Sequence, residues 1–277
     1  MNQSPAGHEI SADHNSLGSD GGLVSRPYSK PRWPIVIPLL GLILASWLIR
    51  EFDIDRRISS LSYDAPNNHW PFARAEPWLF FYRYGIYPPV IVGLAGLAIY
   101  FFGTRIFSGV NRNRQNQLQR GSLFLVLMLL IGPGLIVNLC LKELWGRPRP
   151  LLCRDFGGEM TFKPVGEMGP YRFPNSSFPS GHAAIAFFFM APAFVVGANQ
   201  NWHRRAWLFL GLSYGLAMGL TRVLQGGHFV SDVLWAGFIV YFVGVALARL
   251  LNLHADGEGL ADDSAVRQGS IVVAPTS

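Results

Sequence analysis

Charged side chains are scarce in this chain, at 14% of 277 residues, where a soluble domain carries about 25%. The deficit excludes an ordinary water-soluble globular protein and makes a bilayer the solvent for most of the polypeptide. Cysteine is scarcer still. The two residues, Cys140 in an apolar run and Cys153 in a polar stretch, cannot build a disulfide framework and read as plain packing or surface thiols. Cations exceed anions by 23 to 17, a formal net charge of +6, but they are dispersed between apolar segments rather than gathered on one face. That dispersal excludes nucleic acid as a partner and fits contact with anionic lipid or phosphate. No basic start with an apolar stretch directly behind it stands at the N-terminus, so no signal peptide is expected there. No internal repeat is visible.

What is present is apolar sequence in six runs, near 34–49, 86–102, 123–144, 182–197, 206–223 and 233–253. A bilayer crossing needs about 20 such residues, so the expected fold is all-α, an integral membrane bundle of six transmembrane helices. Residues 1–30, rich in Gly, Ser, Asn and Asp, read as a disordered tail. The domain then covers 31–253, and 254–277 form a polar C-terminal tail. Trp and Tyr crowd the segment His69 to Tyr84, which suits an aromatic belt at headgroup level. Thr104 to Arg120 and Ala198 to Arg205 read as a polar loop and a short turn. Gly132-Pro133-Gly134 predicts a kink in the third span, and Gly211, Gly215 and Gly219 form a small-residue stripe for close helix packing.

Three polar stretches interrupt this pattern. In NSSFPSGHAA, residues 175–184, Ser180, Gly181 and His182 stand at the start of an apolar helix, where unpaired N–H groups and the dipole suit an anion. LKELWGRPRP, residues 141–150, places Lys142 and Arg149 with six residues between them. TRVLQGGHFVSD, residues 221–232, places Arg222, His228 and Asp232 with five and then three between them. Six spans bring all three stretches to one membrane face. The inventory of three cations, two imidazoles, a carboxylate and a helix end suits a phosphate ester. His228 and Asp232 lie four apart, which on a helix places them on one face. Standing at helix ends, the site is expected to be exposed and to contribute little to the core.

In order and spacing these stretches resemble the signature of the type 2 phosphatidic acid phosphatase family, whose fold relatives include the vanadium haloperoxidases. That pattern is Lys, six residues, Arg-Pro; then Pro-Ser-Gly-His; then Ser-Arg, five residues, His, three residues, Asp. Thr221 stands where the family has Ser and keeps a hydroxyl. The resemblance implies that His228 is a nucleophile forming a phosphohistidine, that Asp232 orients it, and that His182 protonates the departing alkoxide. Lys142, Arg149, Ser180, Gly181 and Arg222 would hold the substrate phosphate. Arg147, inside the first motif, reads as a headgroup contact or as support behind the site. No metal and no other cofactor is expected, because three cations would repel one from His182, His228 and Asp232.

The run WGRPRP, then FGG, then SSFPSGHA is similar to bacterial members of that family acting on lipid A. Other members take phosphatidylglycerophosphate, phosphatidic acid or undecaprenyl diphosphate, and a lipid-to-lipid phosphotransferase would use the same residues. A noncatalytic binder or transporter of anionic lipid is the reading from another class. The positive-inside count is nearly even between the two faces. A bacterial inner-membrane location with the site facing the periplasm is therefore what the resemblance implies.

Overall fold

The computed structural model describes residues 33–170, 176–196 and 200–253. Both predicted tails, Asn175 at the head of the second motif, and Arg172 lie outside the described residues. Among these residues the structure is helical, with no strand and only isolated bridges such as Pro148 with Ser176 and Cys153 with Met160.

Helix α1 (Trp33–Glu51) ends where Asp53 takes a left-handed conformation, φ 52°, and α2 (Ile54–Ser60) leaves at 65° to it. The bend turns the charged end of the first apolar run back into the protein. Next, α3 (Trp78–Tyr84) leads into α4 (Tyr87–Ile106), and α5 (Arg112–Leu129) continues through a π-helical stretch (Leu130–Leu141) into α6 (Lys142–Trp145). After a long irregular segment come α7 (Gly181–Phe187), α8 (Pro192–Val195), α9 (Asn201–Leu224) and α10 (Val230–Leu250).

Four helical stretches are long and apolar enough to cross a membrane: Trp78–Ile106, Arg112–Trp145, Asn201–Leu224 and Val230–Leu250. The bent pair α1 and α2 makes a fifth. The expected fourth span falls short. Gly181–Val195 covers only about 22 Å at 1.5 Å per residue, against a hydrocarbon core near 30 Å, and a 3₁₀ turn at Phe188–Met190 ahead of Pro192 interrupts it. The second and third spans are longer than predicted. The supposed polar loop is mostly helix, because Asn111 caps α5 by accepting from the Asn113 N–H at 3.0 Å and the polar turns Arg112 to Arg120 continue that helix. Likewise α9 already begins at Asn201, so His203, Arg204 and Arg205 are helical rather than in a turn.

The predicted kink at Pro133 takes the form of the π-helical stretch. Proline donates no N–H and its ring clashes with the preceding turn, and the Asn138 side chain satisfies the Pro133 carbonyl at 2.7 Å. The core packs Phe124, Met128, Val137, Phe187, Phe188, Phe194 and Val240 between α5, α7, α8 and α10. Ile37, Leu40, Leu94, Phe101, Leu139 and Phe209 are exposed outward, as residues facing acyl chains are. The glycine stripe packs closely, as its spacing predicts. A Cβ at Gly211 would meet the Met190 backbone at 2.3 Å, one at Gly215 the Phe187 ring at 2.0 Å, and one at Gly219 the Val233 side chain at 2.2 Å.

Candidate active site at four helix ends

Lys142 stands at the end of the third helical stretch, His182 at the start of α7, Arg222 in the last turn of α9 and Asp232 in the first turn of α10. Short backbone bonds tie these ends together. The Ser180 N–H donates to the Asp232 carbonyl at 3.1 Å, the Gly227 N–H to the Arg222 carbonyl at 2.9 Å, and the Leu151 N–H to the Gly226 carbonyl at 3.0 Å. Ser180 caps α7, its hydroxyl accepting from the Ala183 N–H. The N–H groups of Gly181 and His182 precede the first bond of that helix and stay available. Gly181 admits no side chain, because a Cβ would sit 2.3 Å from Asn138 Oδ1 on the π-helical stretch. The proline-driven turn and the Pro-Ser-Gly motif therefore fit against each other.

The predicted residues converge. His182 lies within electrostatic reach of Arg222, His228, Lys142 and Arg149, and Lys142 within reach of Arg149, Arg222 and Asp232. Burial holds the Arg149 guanidinium below its ordinary pKa, against the pull of Tyr82 and Asp232. The Nε atoms of Arg149 and Arg222 are buried and have no protein partner. Unpaired buried donors on neighbouring cations suit an anion.

Two expectations need correction, and a third is narrowed. The site is not exposed: Lys142 and Arg222 are each 7% exposed, His228 1% and Asp232 0%. His228 and Asp232 do not share a helix face, since His228 lies in the turn before α10. Asp232 instead folds back as a cap, its Oδ2 accepting from the Phe229 N–H at 2.8 Å and lying 3.7 Å from His228 Nδ1. That separation is longer than a hydrogen bond, and Nδ1 has no other partner. Arg147, expected at headgroups or as support behind the site, takes the second place, bonded to Asp232 and Asp55. It is fully buried, and Asp232 and Asp55 raise its pKa against the effect of burial.

Sequence reasoning passed over Tyr82, Gln225 and Asp55. The Tyr82 ring lies 4.8 Å from the His182 ring and 4.3 Å from the Arg222 guanidinium carbon, and it lines a cavity of about 370 Å³ with Arg83, Tyr84, Ile86, Tyr87 and His182. Gln225 Oε1 accepts from Arg222 Nη1 at 2.6 Å. The Thr221 hydroxyl donates to the Ala217 carbonyl at 2.9 Å, within its own helix. Both cysteines are free, as expected. Cys140 is exposed and Cys153 buried, where burial pushes the thiol up to about 12, so it is no nucleophile at neutral pH.

Burial lowers the His228 pKa to about 4, helped by Arg222 and Lys142 and opposed by Asp232. The nucleophile role that the resemblance implies for His228 needs its neutral form, and in that role the acid limb it imposes on kcat/KM is expected well below the ordinary 6.5. The unfolded chain binds this proton more readily. Stability from this group is thus complete above pH 6.5 and declines as the pH falls towards 4. A pH series of kcat/KM with thermal unfolding in detergent checks both. An acid limb from His228 at 6.5 would contradict the burial argument.

Residues 121–255 match the PAP2 superfamily. The chain is 36% identical over 118 residues to a lipid A 4'-phosphatase of Francisella tularensis subsp. novicida (strain U112), covering 43% of this chain and 52% of that protein. It is 35% identical over 119 residues to a lipid A 4'-phosphatase of Rhizobium leguminosarum, covering 42% and 50%. To a lipid A 1-phosphatase of Rhizobium etli it is 32% identical over 136 residues, covering 46% and 53%. The chain thus spans about half the length of the curated relatives it matches, and no solved structure matches it significantly. The matched segment holds Lys142, Arg149, Ser180, Gly181, His182, Arg222, His228 and Asp232, and across residues 121–255 the chain is similar to the PAP2 superfamily.

Proposed function

We propose that this protein is a phosphoric ester hydrolase of membrane lipids that works through a phosphohistidine and needs no metal. The observation that carries this reading is the pair of orphaned guanidinium Nε atoms beside two imidazoles, one of them backed by a carboxylate. Phosphoryl transfer requires little beyond alignment, charge neutralisation and a proton for the leaving oxygen. Lys142, Arg149, Arg222 and the first N–H groups of α7 neutralise the nonbridging oxygens. His228 Nδ1 faces Asp232, so Nε2 attacks phosphorus. The P–O bond to the lipid breaks, and His182, whose pKa burial and the surrounding cations lower to about 3, takes up a proton once the charge of the bound phosphate offsets those cations and delivers it to the departing oxygen. Water then attacks the P–N bond with His182 taking a proton from it, and phosphate leaves.

The lipid favoured as substrate is of the lipid A type, since the relatives reported above are named for that activity and the cavity beside His182 is lined mainly by tyrosines and an arginine, with Ile86 its one aliphatic side chain. His182 faces the leaving group, so this cavity receives the alcohol side of the ester. In this reading the protein sits in the bacterial inner membrane with the site on the periplasmic face, as the family resemblance implies. The purified protein, assayed with excess chelator against lipid A, phosphatidylglycerophosphate, phosphatidic acid and undecaprenyl diphosphate, is expected to release phosphate from lipid A fastest, by about tenfold or more. Preference for another lipid would move the substrate assignment. A new phospholipid without free phosphate would make the protein a phosphotransferase, and binding without turnover would end the enzymatic reading.

A further inference from the structure

Behind His228 lies a buried ionic assembly that the phosphate site does not include. Arg147 spends its whole guanidinium inside the protein. Its Nε donates to the Lys163 carbonyl at 2.7 Å, Nη1 to Ser231 Oγ at 2.7 Å and Asp232 Oδ1 at 2.6 Å, and Nη2 to Asp55 Oδ2 at 2.8 Å. Its charge also sits 4.4 Å from the centre of the Phe229 ring. Asp55, 2% exposed, accepts in addition from the Ser231 N–H at 3.0 Å and hydroxyl at 2.6 Å. It comes from α2, beyond the bend that closes the first apolar run, and lies outside the segment that matches the family.

Each oxygen of Asp232 therefore has an assigned task. Oδ1 is held by Arg147, and Oδ2 is held by the Phe229 N–H while facing His228. Two bonds on opposite oxygens fix the plane of the carboxylate, leaving one lone-pair direction for the imidazole. Arg147 is aimed in turn by Asp55 and Ser231. A purely stabilising role would be weakly motivated, because burying a guanidinium with two carboxylates gains little over an apolar cluster of the same shape.

We propose that Asp55 and Arg147 are positioning residues for the nucleophile: through Asp232 they set the orientation of the His228 ring, making the bent first helix part of the reaction machinery. This rests on the reading of His228 as the nucleophile. Neither residue touches the substrate. Their loss should lower the rate of the chemical step and leave phosphate binding by Lys142, Arg149 and Arg222 intact.

The test is a kinetic double-mutant cycle on the full-length protein, with a lipid phosphate that the wild type cleaves. Asp55→Asn keeps shape and removes charge, and is expected to lower kcat about tenfold with KM changed by less than twofold. In an Asp232→Asn background the same substitution should cost less than twofold, because the carboxylate it acts through is gone. Ser231→Ala, a smaller lesion in the same assembly, should show the same pattern more weakly and covers the case in which Asp55→Asn fails to fold. Arg147→Lys, which keeps the charge and loses the fork, should not restore the wild-type rate. The charged and titratable groups around His228 are Asp232, Arg222, Lys142 and His182. Of these only Asp232 is bonded to Arg147, so Arg147→Gln should move the acid limb of kcat/KM to higher pH as the carboxylate pulls harder on the imidazole. Equal losses in both backgrounds, a change confined to KM, or an unmoved acid limb would overturn the proposal. If His228→Ala itself stays active, the nucleophile assignment has failed and this inference with it. If that variant is inactive while Asp55→Asn and Ser231→Ala are silent, only the positioning role is lost.

Discussion

His228→Ala is expected to abolish lipid phosphatase turnover, lowering kcat by about 10⁴-fold or more, the size of loss seen when a covalent nucleophile is removed. No neighbouring group can substitute. In the proposed mechanism His182 serves the leaving oxygen, Cys153 is buried among aromatic side chains with its thiol pushed up to about 12, and Ser180 is consumed as a cap. Because His228 is among the largest fully buried side chains, this variant also opens a cavity, and a lower Tm should accompany the lost activity. His228→Asn and His228→Gln fill more of that space. They should fold closer to wild type and remain equally inactive, which separates chemistry from packing. Near-normal turnover in any of the three, measured as phosphate release in detergent, would remove the covalent mechanism.

Replacing His182 should divide the reaction in two. With a lipid alkoxide as leaving group, His182→Ala is expected to lose about 10²- to 10⁴-fold in rate, the usual contribution of a positioned general acid. With an activated ester such as an aryl phosphate, whose leaving group needs no proton, the first step should survive. The second step, in which His182 takes a proton from water, should still stall. Phosphate label should then accumulate on the protein as an acid-labile, base-stable adduct at His228. Absence of that adduct, with both substrates slowed alike, would show that His182 serves binding rather than proton transfer.

The convergence of the eight candidate residues was legible because short motifs fix their own spacing, and each motif sits where an apolar run begins or ends. Asp55 was not legible. In sequence it is one of several charges trailing the first span, and nothing local distinguishes it from Asp53 or Glu51. Its partners are 92 and 176 positions away, and only the bend at Asp53 brings it inward. Tyr82 was hidden in the same way, as one aromatic residue in a segment full of them. The spacing of His228 and Asp232 predicted their proximity for the wrong reason. Four residues suit a helix face, but Phe229 and Asp232 form a cap, and the cap turns the carboxylate back towards the histidine. Helix lengths were misjudged wherever hydropathy stood in for hydrogen bonding. Arg112 to Arg120 is polar yet helical, whereas the apolar run after His182 breaks at Phe188–Met190.

The glycines of α9 have a consequence that reaches beyond packing. Phe187, one turn past His182, lodges its ring between Gly215 on α9 and Gly237 on α10, where added methyl carbons would stand 2.0 and 3.1 Å from it. His182 thus rides on a helix whose depth is gauged by two missing side chains, and Asp232 rides on one of the walls. A methyl group at Gly215, seven residues before Arg222 on α9, would press on that ring and shift the helix that carries His182.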